Sequence, residues 1–366
     1  FSQLWFDVKE FIYSYITDYG SIGELRKNDS DKELRVWVSS GRDQAQTLRN
    51  LISSSFLKEH DIPVKVELVT TNLLAATGAG TGPDVVVLSA PDVFNFAMRK
   101  GAYNLEKFSD FSQVKQRFRE VSFVPYKYLD GTYALPESIN FNVLYYRADL
   151  FEQMGLSVPK TWDELLYVSS LLANNNMEVG IPADYMTYLT MVSQAGLDIY
   201  SSDGKQCLLS QTKQAEIFGK FTKFYTDYGF LLSYEFQNRF RSGEMPLGIA
   251  DISMFNTLEV SAPEIRGLWS MTLLPGTVRE DGTIDRTSLV TTNTVNITNG
   301  ANGGGAMILS QTDDPEGAWE FLKWWTSDEI QEKYAIEIEN LLGGSARYSS
   351  ANIAAFENSM WTSQYK

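Results

Sequence analysis

The chain has 366 residues, enough for two domains and a sizeable core, and its 43% hydrophobic content without low-complexity stretches marks it as globular. A formal net charge of −15 excludes the basic character expected of partners for nucleic acid or anionic membrane surfaces, and serves solubility. No apolar run approaches the roughly 20 residues of a membrane span, and the lone Cys207 allows no internal disulfide.

Phe1, Leu4, Trp5, Val8, Phe11, Ile12, Tyr15, Ile16 and Tyr19 recur at helical spacing, which predicts an amphipathic helix ending near Gly20 or Gly23. Its aromatic stripe either packs on its own domain or covers something upstream. Residues 1–30 are set apart as an N-terminal helical segment. Leu34 to Val38 then reads as a buried strand, 44–57 as an amphipathic helix, 64–69 as a second strand, and Asp84 to Leu88 as a third. This βαβ alternation implies a parallel sheet with right-handed crossovers. The glycine-rich loop 78–83 is followed by no Gly-Lys-Ser/Thr and reads as a turn rather than a phosphate cradle.

Pro136 restrains Leu135 to extended geometry, and Val143, Leu144, Tyr145 and Tyr146 form an apolar run that predicts a strand buried on both faces. Residues 148–154 make a short helix that Gly155 ends in the left-handed region, and Thr161 with Glu164 forms a capping box for a helix over 162–174. Further on, 215–228 is helical, with Phe218, Phe221, Phe224 and Tyr225 on its apolar face; 247–250 and 268–275 are strands, and 283–298 a hairpin. A strand follows over 303–309, then a helix opened by Asp314-Pro315 that carries Ala318, Trp319, Phe321 and Leu322.

The ordered run from Pro136 through Leu144, Tyr146, Asp149, Gly155, Pro159, Thr161, Trp162 and Glu164 resembles the crossover segment of extracellular solute-binding proteins that serve ABC importers, in the carbohydrate-binding group that includes maltose-binding protein. The Phe240-Arg241-Ser242-Gly243 element, the Leu273-Leu274-Pro275-Gly276 strand end and the Ala318-Trp319-Glu320-Phe321 helix are similar to later landmarks of that group. The resemblance covers about residues 33–350. It implies a two-lobed α/β fold of the periplasmic-binding-protein kind, with three hinge crossings near 136–140, 291–305 and 326–331. Lobe 1 is expected to hold 33–138 and 303–326, and lobe 2 139–300 and 330–366. Members of that group begin near the first strand, so the 1–30 segment is an extra N-terminal helix and suggests a domain cut from a longer polypeptide. The short tail after Arg347 also departs from the family, and a truncated C-terminus is one expectation.

Enzymatic readings find little footing. A Ser/His/Asp triad would have to use His60, the lone histidine, in a charged helix end; one His and one Cys cannot supply a zinc site. Paired carboxylates of a glycosidase are non-specific among 46 acidic residues. No cofactor, metal or catalytic residue is expected. A cleft at the strand C-termini explains more. There the chain offers Ser39, Arg42, Ser89, Asp92, Glu137 and Asn140, whose hydroxyls, carboxylates, amide and guanidinium suit sugar hydroxyls. The resemblance places the ligand at these same positions. Against this, Arg42 and Asp43 open a helix equally well, and Asp92 is a competent N-cap.

Aromatic rings stack on the flat C–H faces of sugars. The Asp184-Tyr185-Met186-Thr187-Tyr188 loop matches the family's aromatic loop, with Tyr185 as preferred platform, Asp184 and Tyr188 beside it, and core packing as the alternative. Where the family often has a Trp, this chain has Phe255 and Asn256. Gly304 and Arg347 lie near the other crossings, with hinge or turn duty as the alternative. The expected partners are a carbohydrate and an ABC permease, for a monomer outside the cytoplasm, membrane-tethered in its precursor. The same fold as a sensing or adhesion module of a larger surface protein is the other reading.

Overall fold

A computed structural model describes residues 33–69, 72–201, 205–289 and 304–359, together with the backbone of Ser21–Leu25. The predicted N-terminal helix over 1–19 lies outside the described residues, as do residues 290–298 of the predicted hairpin. The described residues divide into two compact units, with passages from one to the other at 139/140, 341/342 and 347/348 and a further one within 290–303, outside the described residues.

The first unit is built on a six-stranded sheet. Its order is Ser21–Leu25, Val64–Leu68, Leu34–Val38, Val85–Ser89, Gly304–Ile308, Leu135–Pro136. Leu34–Val38 runs parallel to both its neighbours, as the βαβ pattern requires, while Gly304–Ile308 returns antiparallel to Val85–Ser89 and Leu135–Pro136. Val36, Val64, Val66, Val85 and Val86 are fully buried, the signature of a sheet covered on both faces. On one face lie the Arg42–Leu51 helix with its π-helical extension Ile52–Phe56, and Pro315–Trp325. Phe56 meets Phe321 and Trp324 at 5.4 and 5.3 Å between ring centroids. Asp314 caps Pro315–Trp325 by accepting from the Gly317 amide at 3.0 Å, as its sequence announces.

Two features differ from the expectation. Ser21–Leu25, assigned to the end of the N-terminal helix and the 1–30 segment, is instead an edge strand antiparallel to Val64–Leu68. The register shifts between Ser21 and Gly23, so Gly23 marks a bulge rather than a helix terminus. The helix Asp328–Leu342 stays in the first unit through residue 341 instead of leaving it at 326–331. Tyr334 packs edge-on to Trp325 at 4.9 Å and to Tyr348 at 5.1 Å, and Gln331 Nε2 donates to the Trp325 carbonyl at 2.9 Å.

The second unit has a four-stranded sheet ordered Trp269–Thr272, Asn142–Arg147, Leu247–Asp251, Val179–Gly180. Leu144, Leu165, Leu172, Ile181, Leu247 and Phe224 anchor its core at 0–1% exposure. Thr161 Oγ1 accepts from the Glu164 amide at 3.1 Å, while Glu164 Oε2 reaches back to the Lys160 amide at 2.6 Å, so the expected box forms one residue early on its return arm. Gly155 has φ 61°, the left-handed stop read from the sequence. Ile284–Asp285 pairs antiparallel with the preceding strand Thr277–Val278, upstream of the hairpin expected within 283–298.

Candidate functional site

Strand direction and register bring the first unit's candidates to one end of its sheet. Leu34–Val38 and Val85–Ser89 are parallel, so Ser39 and Ser89 emerge at the same end, and Ser39 Oγ donates to the Val87 carbonyl at 3.3 Å. Gly304 pairs with Ser89, and Gly305 with Pro136, which sets Glu137 beside them. Ser89 Oγ donates to Asp92 Oδ2 at 2.6 Å, a hydroxyl–carboxylate pair at the opening of the Ala90–Met98 helix. Arg42 is the first residue of its helix and exposed, with no ion pair among the described residues.

Glu137 is half-buried, with its carboxyl held by the Trp325 indole. Burial pushes its carboxyl up to about 7, partly offset by the Trp325 indole, whose Nε1–H donates to Oε1 at 3.0 Å. Burial beside this carboxyl also drives the phenols of Tyr126, Tyr334 and Tyr348 above their ordinary range. A Cβ on Gly304 would lie 3.0 Å from Glu137 Oε2, so glycine leaves room for the acid. The sequence held a signal for this cage, the Trp324-Trp325 pair and Tyr348, but spacing alone does not reveal that they converge on Glu137.

Asn140 opens the second unit. It is 1% exposed, and its Oδ1 has no hydrogen-bond partner among the described residues. A buried amide oxygen left this way costs about 1–3 kcal/mol, and such groups mark unfilled acceptor positions. The Ile252 amide donates to the Phe141 carbonyl at 3.0 Å, and Asp251 pairs with Asn142, so the start of Asn142–Arg147 and the exit of Leu247–Asp251 share one end of the second sheet. Val179–Gly180 is parallel to Leu247–Asp251, so 181–185 emerges there too. Asn256 follows that exit at 2% exposure: its Nδ2 donates to the Arg347 carbonyl at 3.3 Å, and its Oδ1 is likewise unpartnered.

The aromatic candidates separate. Tyr185 is 64% exposed at the first turn of Tyr185–Gln194. Tyr188 is in the core, donating its hydroxyl to the Gln214 carbonyl at 3.2 Å and meeting Phe218 edge-on at 5.4 Å. Phe255 is 1% exposed against Trp269 at 5.4 Å. Packing accounts for both rings. Asp184 is the N-cap of the helix, accepting from the Thr187 amide at 2.8 Å and the Thr187 hydroxyl at 3.0 Å.

Among the described residues no cluster of three or more His, Cys, Asp or Glu is placed to hold a metal ion. His60 stacks on Phe56 at 4.6 Å, a packing role. A hollow of about 620 Å³ on the first unit is lined by Asp110, Arg117, Lys323, Asp328 and Asn352 and shares no residue with the candidates. Its polar groups are engaged with one another: Lys323 pairs with Asp110 at 2.8 Å, and the Asn352 amide donates to Asp328 Oδ1 at 2.7 Å.

The profile of the bacterial extracellular solute-binding protein family matches residues 52–360. The chain belongs to that family. A binding protein of Brucella abortus is 29% identical over 220 residues, 56% of this chain and 51% of its own length. The arabinooligosaccharide-binding protein of Halalkalibacterium halodurans is 25% identical over 193 residues, 49% of this chain and 43% of its own. The chain thus spans about half the length of the curated relatives it matches. The sugar-binding protein MalE of Xanthomonas citri superposes with a TM-score of 0.71 at 16% identity, covering 89% of this chain and 82% of that one. This likeness identifies the fold as the two-lobed α/β fold of periplasmic binding proteins. No helix among the described residues is long and apolar enough to cross a membrane.

Proposed function

We propose that this chain binds a sugar or short oligosaccharide outside the cytoplasmic membrane, in a cleft between its lobes, closes over it by hinge motion and delivers it to an ABC permease. One observation carries the reading. Asn140 keeps a carbonyl oxygen buried and, among the described residues, unpartnered at the first residue of the second unit, and a ligand hydroxyl is the donor that would fill it. Asn256 presents a second acceptor of the same kind. Tyr185 supplies an exposed ring for a sugar face, while Ser39, Ser89 and Asp92 supply hydroxyls and a carboxylate from the first unit. The arabinooligosaccharide- and galactooligosaccharide-binding relatives support a saccharide over other solutes. Closure is differential affinity: the ligand favours the conformation in which both sets of groups reach it.

A thermal-shift screen of the ligand-free protein against mono- and oligosaccharides tests the class. A cognate saccharide at about 100 times its Kd is expected to add about 2.7 kcal/mol of apparent stability. If amino acids, short peptides or polyamines raise the melting temperature and no saccharide does, the sugar reading is wrong.

A further inference from the structure

Three stretches that adjoin passages between the units converge on Glu137 within the first unit. The first is 137–139 itself, which leads to the passage at 139/140; the second is Gly304, the first described residue after the passage that falls within 290–303; the third is 348–351, which follows the passage at 347/348. The Glu137 amide donates to the Gly304 carbonyl at 2.7 Å. Its own carbonyl accepts from the Tyr348 hydroxyl and the Ala351 amide, both at 2.9 Å. Ser138 bridges to Ser350 and accepts from the Gly304 amide at 3.0 Å, while the Ile139 amide donates to the Ser349 carbonyl at 3.1 Å. One residue therefore ties the roots of three connections together through its backbone, and its side chain sits in the middle.

Among the described residues that side chain is an acid without a cation. Tyr126, Tyr334 and Tyr348 face the carboxyl from the Glu120–Tyr126 turn, the Asp328–Leu342 helix and the returning stretch. Trp325, at the end of Pro315–Trp325, supplies the one hydrogen bond it receives among the described residues. The Tyr348 hydroxyl is committed to the Glu137 carbonyl and leaves the carboxyl unserved. As a neutral acid Glu137 fits this cage. As an anion it is a poorly compensated charge among rings, and relief comes from letting water in or moving the cage apart.

We infer that the Glu137 carboxyl is a proton-operated positioning group: protonated, it lets the three connection roots pack tightly, and ionised, it loosens them. Losing the proton to solvent is the whole chemical step. The acid's position at about 7 places the changeover where modest changes of external pH would work it. In this role Glu137 acts through the connections.

The test uses ligand-free protein labelled with 15N-tryptophan, the Trp325 indole resonance being assigned by Trp325→Phe. In the wild type this resonance is expected to titrate with a midpoint near 7, and in Glu137→Gln to stay still. Hydrogen exchange at the Ile139 and Ala351 amides, compared with Glu137→Gln at the same pH to cancel intrinsic base catalysis, is expected to be equal at about pH 5 and about tenfold or more faster in the wild type at about pH 8.5. Trp325→Phe removes the donor that favours the anion, so the pH at which these amides lose protection should rise; this arm also stands if Glu137→Gln does not fold. A motionless Trp325 resonance, or equal protection at both pH values, overturns the inference. None of these readouts uses a ligand, so a failed saccharide screen leaves them intact.

Discussion

Asn140 and Glu137 lie three positions apart and do opposite things. Asn140 holds an acceptor empty, while Glu137 fills its surroundings with its own acid. The pH dependence of stability follows from the second. Glu137 has a folded-state pKa of about 7, above the ordinary 4.5, so the stability linked to its proton is present below about 4.5 and lost as pH rises to about 7. The whole effect is on the order of 3 kcal/mol. Asp149 has the opposite sign: hydrogen bonds from Arg147 hold its carboxyl below the usual range, so its contribution is lost in acid. Urea unfolding at about pH 5 and about pH 8 should show the wild type weaker at the higher pH and Glu137→Gln nearly level. Equal losses in both proteins would assign the slope to other groups. Among the aromatics, Phe255→Ala should cost about 3–5 kcal/mol of stability, while Tyr185→Ala should stay within about 0.5 kcal/mol without ligand. Denaturant midpoints decide it: a large loss at Tyr185 would mean that its ring is packed, despite 64% exposure.

Elements show where local chemistry was legible and where it was not. Thr161 and Asp314 announce helices by their own side chains, and both caps form. Thr161→Ala should therefore cost about 1 kcal/mol, read from the melting temperature, and no loss would mean that the Glu164 arm holds the helix start unaided. The valine-rich strands were equally plain, because burial on both faces erases alternation and leaves a continuous apolar run. Ser21–Leu25 was misread because an edge strand is defined by its partner, Val64–Leu68, more than by its own pattern. The Tyr188 and Tyr185 pair shows the same limit at the candidate site. Two tyrosines three positions apart on one helix look alike in sequence, yet one is buried against Phe218 and the other exposed. Gly305 is another tertiary fact: a Cβ there would meet the Tyr126 ring at 2.6 Å. Gly305→Ala is expected to cost about 1–3 kcal/mol through overpacking, measured by chemical denaturation, and a neutral result would mean that Tyr126 gives way freely.

At the scale of the molecule, the chain belongs to the solute-binding family, and the groups proposed to meet the solute lie at one end of each of its two main sheets. The ordered landmarks from Pro136 to Glu164 made this fold readable, since each is a residue whose local geometry is set by its own type. The passages were harder to read, because the point where Asp328–Leu342 leaves the first unit depends on Tyr334 finding Trp325 and Tyr348. The central claim is that a saccharide hydroxyl fills the acceptor that Asn140 keeps buried. Titration calorimetry of the cognate saccharide into wild-type protein and Asn140→Ala tests it most directly. The account predicts an affinity lower by about 1–3 kcal/mol in the variant, with a ligand-free melting temperature unchanged or raised because an unpartnered buried amide has gone. Wild-type affinity in a folded Asn140→Ala protein would contradict it.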